Sequence, residues 1–338
     1  MTQRGARGSP RPAEPAALSK QMIDRLLRAA VAAPSMHNTQ PWRFRVRPDR
    51  RTIELRADPA RQLPYSDPDG RAVHIACGAA LFNLRLAVAI AGWQAAVQLL
   101  PDPRGPLLLA TVRLGGRYRA GDAERDLYAA IDRRHTNRQP FSNRPVPPGV
   151  LNELTDAARL EGAILHILDD DEAVRVLELA TNAERALLAD PGYRSELARW
   201  AGGQRDHEGI PDCVIGPRSP DGRAPVRDFV PEPWSQPVRY AWFETTPQLA
   251  VLSTRAGRQA AWLRGGQALQ RVLLTATVRG IAASPLTQAL ETRDAWLVRD
   301  PRSGSEQPQM ILRLGYGLPQ PPAPRRPIGD IMDAPEPD

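Results

Sequence analysis

Two helical stretches of this chain can be laid over each other without a gap. "GAALFNLRLAVAIAG" (78–92) and "GQALQRVLLTATVRG" (266–280) share five of fifteen positions, including both end glycines. Both are apolar on nearly every face, too apolar for a surface position. Each is followed by a strand ending in "RLG", at 113–115 and 313–315. Each is preceded by a strand, a loop and a Gly-Arg pair, at 70–71 and 257–258. Two buried helices can resemble each other through composition alone. A shared order of strand, glycine-bounded helix and strand is better explained by duplication. An α+β chain made of two copies of one unit, a dimer fused into a monomer, is expected.

The 338 residues, 42% hydrophobic and 25% charged, suit one large or two ordinary globular domains. Residues 1–17 are basic and Pro-rich with no apolar core, which predicts a disordered tail rather than a signal peptide. Residues 18–120 form the first half: an amphipathic helix (18–32), strands at 43–47 and 52–57 joined by a "PDRR" turn, the apolar helix (71–92) and a strand (107–114). Residues 121–332 form the second half, with helices at 122–133, 147–159 and 171–189, a strand at 163–168, another at 248–255, the second apolar helix (258–279) and a strand at 309–315. Residues 190–245 interrupt this half. They are rich in Pro, Gly, Arg and Asp, hold Trp200, Trp234 and Trp242, and read as a lid-like insertion without regular structure.

The net charge of +7 hints at nucleic acid, but its distribution argues against it. Lys20 is the only lysine, 38 acids are interspersed among the arginines, and no run of five like charges occurs. Neither nucleic acid nor a membrane is expected as a partner, because the most apolar stretch is broken by His74, Asn83 and Arg85. Cys77 and Cys213 form no spacing motif and fit a reducing, cytoplasmic setting.

The chain has no Gly-x-Gly-x-x-Gly turn, no P-loop and no Gly-x-Ser-x-Gly elbow, and its five histidines show no metal-ligand spacing. Three polar stretches remain. "APSMHNTQPW" (33–42) crowds hydrogen-bonding side chains between two prolines and a Trp. Arg134, Thr136 and Arg138 alternate, so in an extended segment they can point the same way and clasp a phosphate. A solvated charge cluster at a helix C-terminus explains them equally well. "GIAASPLTQ" (280–288) has small residues that let backbone approach a flat ligand, or it is a loop beyond a helix cap.

Taken in order, "APSMHNTQPW", "RRHTNR", "GIAASPLTQ" and "LGYG…PRRP" resemble the nitroreductase family of FMN-dependent oxidoreductases, and within it the Acg-type single chains made of two nitroreductase-like halves. The likeness runs from about residue 18 to 332. It implies an α+β nitroreductase-like fold and one FMN held across the two halves. Arg134, Thr136 and Arg138 would hold the phosphate, helped by Arg325 and Arg326. Ser284, Pro285, Leu286, Thr287 and Gln288 would face flavin N5. Pro34, Ser35, Met36, His37 and Asn38, with Gln40 behind, would form the wall that a partner subunit supplies in two-chain relatives. Each element occurs once, so one site per chain is implied.

The resemblance further implies a ping-pong oxidoreductase that passes hydride from NAD(P)H through FMN to a nitroaromatic or quinone. No protein acid, base or nucleophile is required, so no catalytic residue or metal ligand is assigned. Thr136 replaces a family Ser, and Gln288 stands where many relatives have Gly, in the path of a nicotinamide. The alternative implied by Gln288 and a folded-over insertion is an FMN-sequestering, stress-related protein with little turnover. The fused pseudo-dimer would act as a monomer, with further pairing open.

Overall fold

The computed structural model describes residues 18–47, 51–222, 224–229, 237–255, 258–292, 298 and 306–333. The expected N-terminal tail, most of the "PDRR" turn and Trp234 lie outside the described residues.

The chain opens with α1 (Lys20–Val31), whose N-terminus is capped by Ser19, then β1 (Trp42–Arg47), β2 (Thr52–Ala57), α2 (Arg71–Ile90), β3 (Trp93–Leu99) and β4 (Leu108–Arg117). A short α3 (Asp122–Ala130) leads to α4 (Pro148–Leu160) and β5 (Ile164–Ile167). Next come α5 (Asp170–Ala189) and α6 (Pro191–Trp200), then β6 (Gln248–Arg255), α7 (Gln259–Val278), β7 (Ala282–Leu286), β8 (Glu306–Gly315) and α8 (Ile328–Ile331).

Two antiparallel sheets result, ordered β1-β2-β4-β3 and β5-β6-β8-β7, so the second repeats the first strand for strand. Register repeats as well. Ala95 faces Leu114 and Ala96 faces Arg113; Ala283 faces Leu314 and Ser284 faces Arg313. The two long helices span 71–90 and 259–278, offset by the same 188 residues at both ends. The fold is α+β, with two similar sheet-and-helix modules, as the paired helices predict. The Gly-Arg pairs are one residue out of step: Arg71 begins α2, whereas Arg258 precedes α7.

The modules meet where α2 crosses α7. A Cβ on Gly78 would lie 2.3 Å from the Leu263 carbonyl oxygen, and one on Gly266 would lie 2.0 Å from that of Ile75. The equivalent glycines of the two copies therefore bring the backbones into direct contact. Around them Leu263 and Leu274 of α7 pack in the first module's core, and Ile75 of α2 packs in the second's. Asn83 Oδ1 accepts from Gln270 Nε2 at 2.8 Å across the pair, and Arg85 and Arg271 share the carboxylate of Glu161. Helix α2 has the length and apolarity of a membrane span, but 89% of its apolar window is buried in this packing.

Three segments differ from the sequence reading. Residues 93–99 form β3, an edge strand whose Trp93, Ala95, Val97 and Leu99 pack against the first module's core while Gln94, Ala96 and Gln98 are exposed. Part of the stretch at 280–288, read as a possible loop beyond a helix cap, is β7, which tolerates Pro285 because it too is an edge strand. The insertion is not structureless. Asp190 caps α6, Pro191 takes its first turn, and Tyr193, Leu197 and Trp200 recur at helical spacing. Tyr193 and Leu197 join Ile210, Val214, Ile215 and Phe229 in a small core of the insertion's own.

The helix contact makes a direct prediction. Gly266→Ala should lower stability by about 1–3 kcal/mol in denaturant unfolding, since backbone cannot yield like a side chain tip. Gly149→Ala, whose Cβ meets nothing within 4 Å, should stay within about 0.5 kcal/mol of the parent.

Candidate functional site

The loop after α1 is wound tightly. His37, Asn38 and Gln40 have φ of 49°, 55° and 52°, a left-handed conformation that costs non-glycine residues about 1–3 kcal/mol each. Its anchors come from distant chain. Asn38 Nδ2 donates to the Gly209 and Pro324 carbonyls, both at 3.0 Å, and its Oδ1 accepts from Arg325 at 3.1 Å. Gln40 donates to the His207 carbonyl at 2.7 Å and accepts from the Arg326 amide at 2.9 Å. Ser35 Oγ accepts from the Gln40 amide, and Trp42 is fully buried at the loop's exit. The crowd of polar side chains thus clamps the insertion, the C-terminal segment and the first module together.

Behind the loop lies a hollow of about 450 Å³, its mouth included, lined by Arg134, Arg138 and Arg325 beside Ser35, Asn38 and Thr136. These cations hold mostly carbonyl oxygens. Arg325 donates to Val31, Ala32 and Ala33 at 2.8–3.3 Å, Arg134 to Ala32 at 3.3 Å, and Arg138 to Val214 at 3.3 Å. None of the three pairs with a carboxylate among the described residues. Burial, with Arg325 nearby, pushes the Arg134 guanidinium down to about 9. Burial, with Arg227 nearby, pushes Arg138 down to about 10, and burial alone does the same to Arg325. Arg134 Nε is buried with no partner. Three buried cations without counter-charge among the described residues have the chemistry to receive an anion.

Ser35, Thr136 and Arg138 also line a larger slot of about 860 Å³, mouth included, between the modules. One wall is the Pro34–His37 loop with the first turns of α2, where Arg71, Ala72, Ile75 and Ala76 stand. The other is Ser284, Pro285 and Thr287, with Leu269, Gln309 and Met310. Arg227 and Phe229 of the insertion cover part of it. Two buried polar atoms there have no partner, His37 Nε2 and Gln309 Oε1. His37 meets the Phe229 ring edge-on, centroids 5.8 Å apart. Burial, and then Arg227 and Arg138, hold its imidazole well below the ordinary histidine range, so it is neutral.

The structure brings Pro34, Ser35, Met36, His37, Asn38, Arg134, Thr136, Arg138, Ser284, Pro285, Thr287 and Arg325 to the lining of these two neighbouring spaces. Gln40 is buried behind the loop. Three residues expected at the site stand elsewhere, the first being Arg326, which pairs with Asp58 at 3.4 Å. Leu286 turns into an apolar cluster with Leu249 and Ile311. Gln288 is buried against Glu184 rather than lining the slot. The sequence reading missed Arg71, Arg227, Phe229 and Gln309. Arg71 carried a signal, since its Gly-Arg pair marks the start of α2; Arg227 and Phe229 carried none.

These neighbours predict a pH effect. Because its folded pKa is depressed, the neutral His37 contributes stability above the ordinary histidine pKa of about 6.5 and loses it as pH falls through that region. His37→Asn, which suits a positive φ, should flatten the acid limb of a Tm-against-pH curve.

The model of the nitroreductase family matches residues 5–74 and 131–316. A Mycobacterium tuberculosis H37Rv protein with the provisional name NAD(P)H nitroreductase Rv3131 is 36% identical over 323 residues, covering 94% of this chain and 92% of that protein. A second from the same strain, provisionally NAD(P)H nitroreductase acg, is 31% identical over 325 residues, covering 93% of this chain and 96% of that one. Among solved structures, a provisional nitroreductase of Anabaena variabilis matches 88% of each chain at a TM-score of 0.53 and 11% identity, a likeness of fold. The chain belongs to the nitroreductase family.

Proposed function

We propose that this chain is an FMN-dependent oxidoreductase of the Acg type, carrying one FMN across its two modules and passing hydride from NAD(P)H to a nitroaromatic or quinone. The observation that supports this best is the hollow lined by Arg134, Arg138 and Arg325 beside a slot between the modules, the two sharing Pro34, Ser35, Thr136 and Arg138. A nucleotide with one phosphate and one planar ring suits both spaces. In this reading the three arginines and Thr136 hold the phosphate, the Pro34–Asn38 loop forms one wall, and Ser284, Pro285 and Thr287 form the other. Gln40, Leu286, Gln288 and Arg326 support the site from behind. When bound, FMN supplies the hydride-accepting N5, and the protein's own residues orient it, exclude water and supply positive charge.

The purified protein should show a flavin visible spectrum at one FMN per chain, and should oxidise NADPH in the presence of menadione or nitrofurazone. Arg134→Ala and Arg325→Ala should each weaken FMN binding by about 10- to 100-fold, the worth of one or two charge-assisted hydrogen bonds, and leave riboflavin affinity nearly unchanged. A colourless protein that takes up no added FMN overturns the reading. A second reading, FMN sequestration without turnover, is favoured by Arg227 and Phe229 standing in the slot. It predicts that bound FMN bleaches with dithionite but not with NADPH.

A further inference from the structure

Arg227 is the charged side chain that the insertion places in the slot. It is 6% exposed and comes from neither repeated module. On one side its Nη2 donates to Thr287 Oγ1 at 2.9 Å, while its guanidinium pairs with Glu291 and meets the Tyr193 hydroxyl. On the other it lies near enough to His37 and Arg138 to disfavour a proton on each. The Glu291 side chain is 1% exposed, and its Oε2 has no partner. Glu184 also faces Arg227, its carboxyl held above the usual range by burial. The cation lines the slot and the Glu291 carboxylate does not. The pair is therefore a buried dipole set against the Thr287 segment, positive end toward the slot.

We propose that Arg227 is a positioning residue through which the insertion sets the charge preference of the slot, favouring the more negative state of the ring that fills it. This rests on the proposed function. Two electrons and one proton added to a flavin leave one extra negative charge on the ring. A fixed cation in a dry site favours that state, and an unpaired carboxylate opposes it. Removing Arg227 does both, because Glu291 is left buried without its partner. Removing the Glu291 charge does the opposite and frees the cation.

The test is the midpoint potential of the FMN-loaded full chain, measured by equilibration with reference dyes. Arg227→Gln should shift it negative and Glu291→Gln positive, with the double variant between them and Arg227→Lys near the parent. A merely structural ion pair would give both single variants shifts of the same sign, or none, and either result overturns the proposal. If Arg227→Gln does not retain FMN, Glu291→Gln still decides by the sign of its shift. A parent chain that takes up no FMN fails the proposed function; an FMN-loaded set with indistinguishable potentials fails the role of Arg227 alone.

Discussion

The backbone contact of α2 with α7 at Gly78 and Gly266 fixes where the other elements can stand. At that distance Leu263 and Leu274 enter the first module's core and Ile75 enters the second's, so neither module buries its core alone. The slot between the Pro34–His37 loop and Ser284–Thr287 exists because the modules meet at this spacing. A side chain larger than hydrogen at either crossing point would part the helices and the slot's walls with them. The site is a property of the interface rather than of either copy.

Positive charge sets the second condition. Arg134, Arg138 and Arg325 converge with carbonyls, not carboxylates, around them. Each pays desolvation without a counter-ion, which is why burial is the first cause of the drop in all three. Such an arrangement is tolerated where an anion completes it. The C-terminal segment that delivers Arg325 also ties Arg43 to Asp333 and pairs Met332 with Phe44, so the second module's tail is sewn to the first module's edge.

Much of this was legible beforehand. The repeat foretold two matching modules because a buried helix must be apolar all round, and that signature survives in sequence. The "APSMHNTQPW" loop stood out because a strained backbone needs many side-chain hydrogen bonds, local ones from Ser35 and Thr39 and long-range ones from Asn38 and Gln40. The edge strand β7 was harder to read, since its small residues and Pro285 show no alternation, whereas β3 does alternate, with Trp93, Ala95, Val97 and Leu99 on one face. The insertion concealed α6 within Pro- and Gly-rich composition, although Asp190, Pro191 and the Tyr193–Leu197–Trp200 spacing mark it in retrospect.

The sequence by itself determined that there would be two similar units, where their buried helices lay, and which three polar stretches stood apart from ordinary turns. Periodicity and composition record those properties because they act over a few residues. Tertiary structure decided which side chains face one another. It turned Gln288 and Leu286 away from the slot, set Arg326 against Asp58, and brought Arg227 and Phe229 in from an insertion with no marker of its own. Those choices depend on contacts between residues far apart in the chain, up to 268 positions for Arg326 and Asp58, which no local pattern encodes.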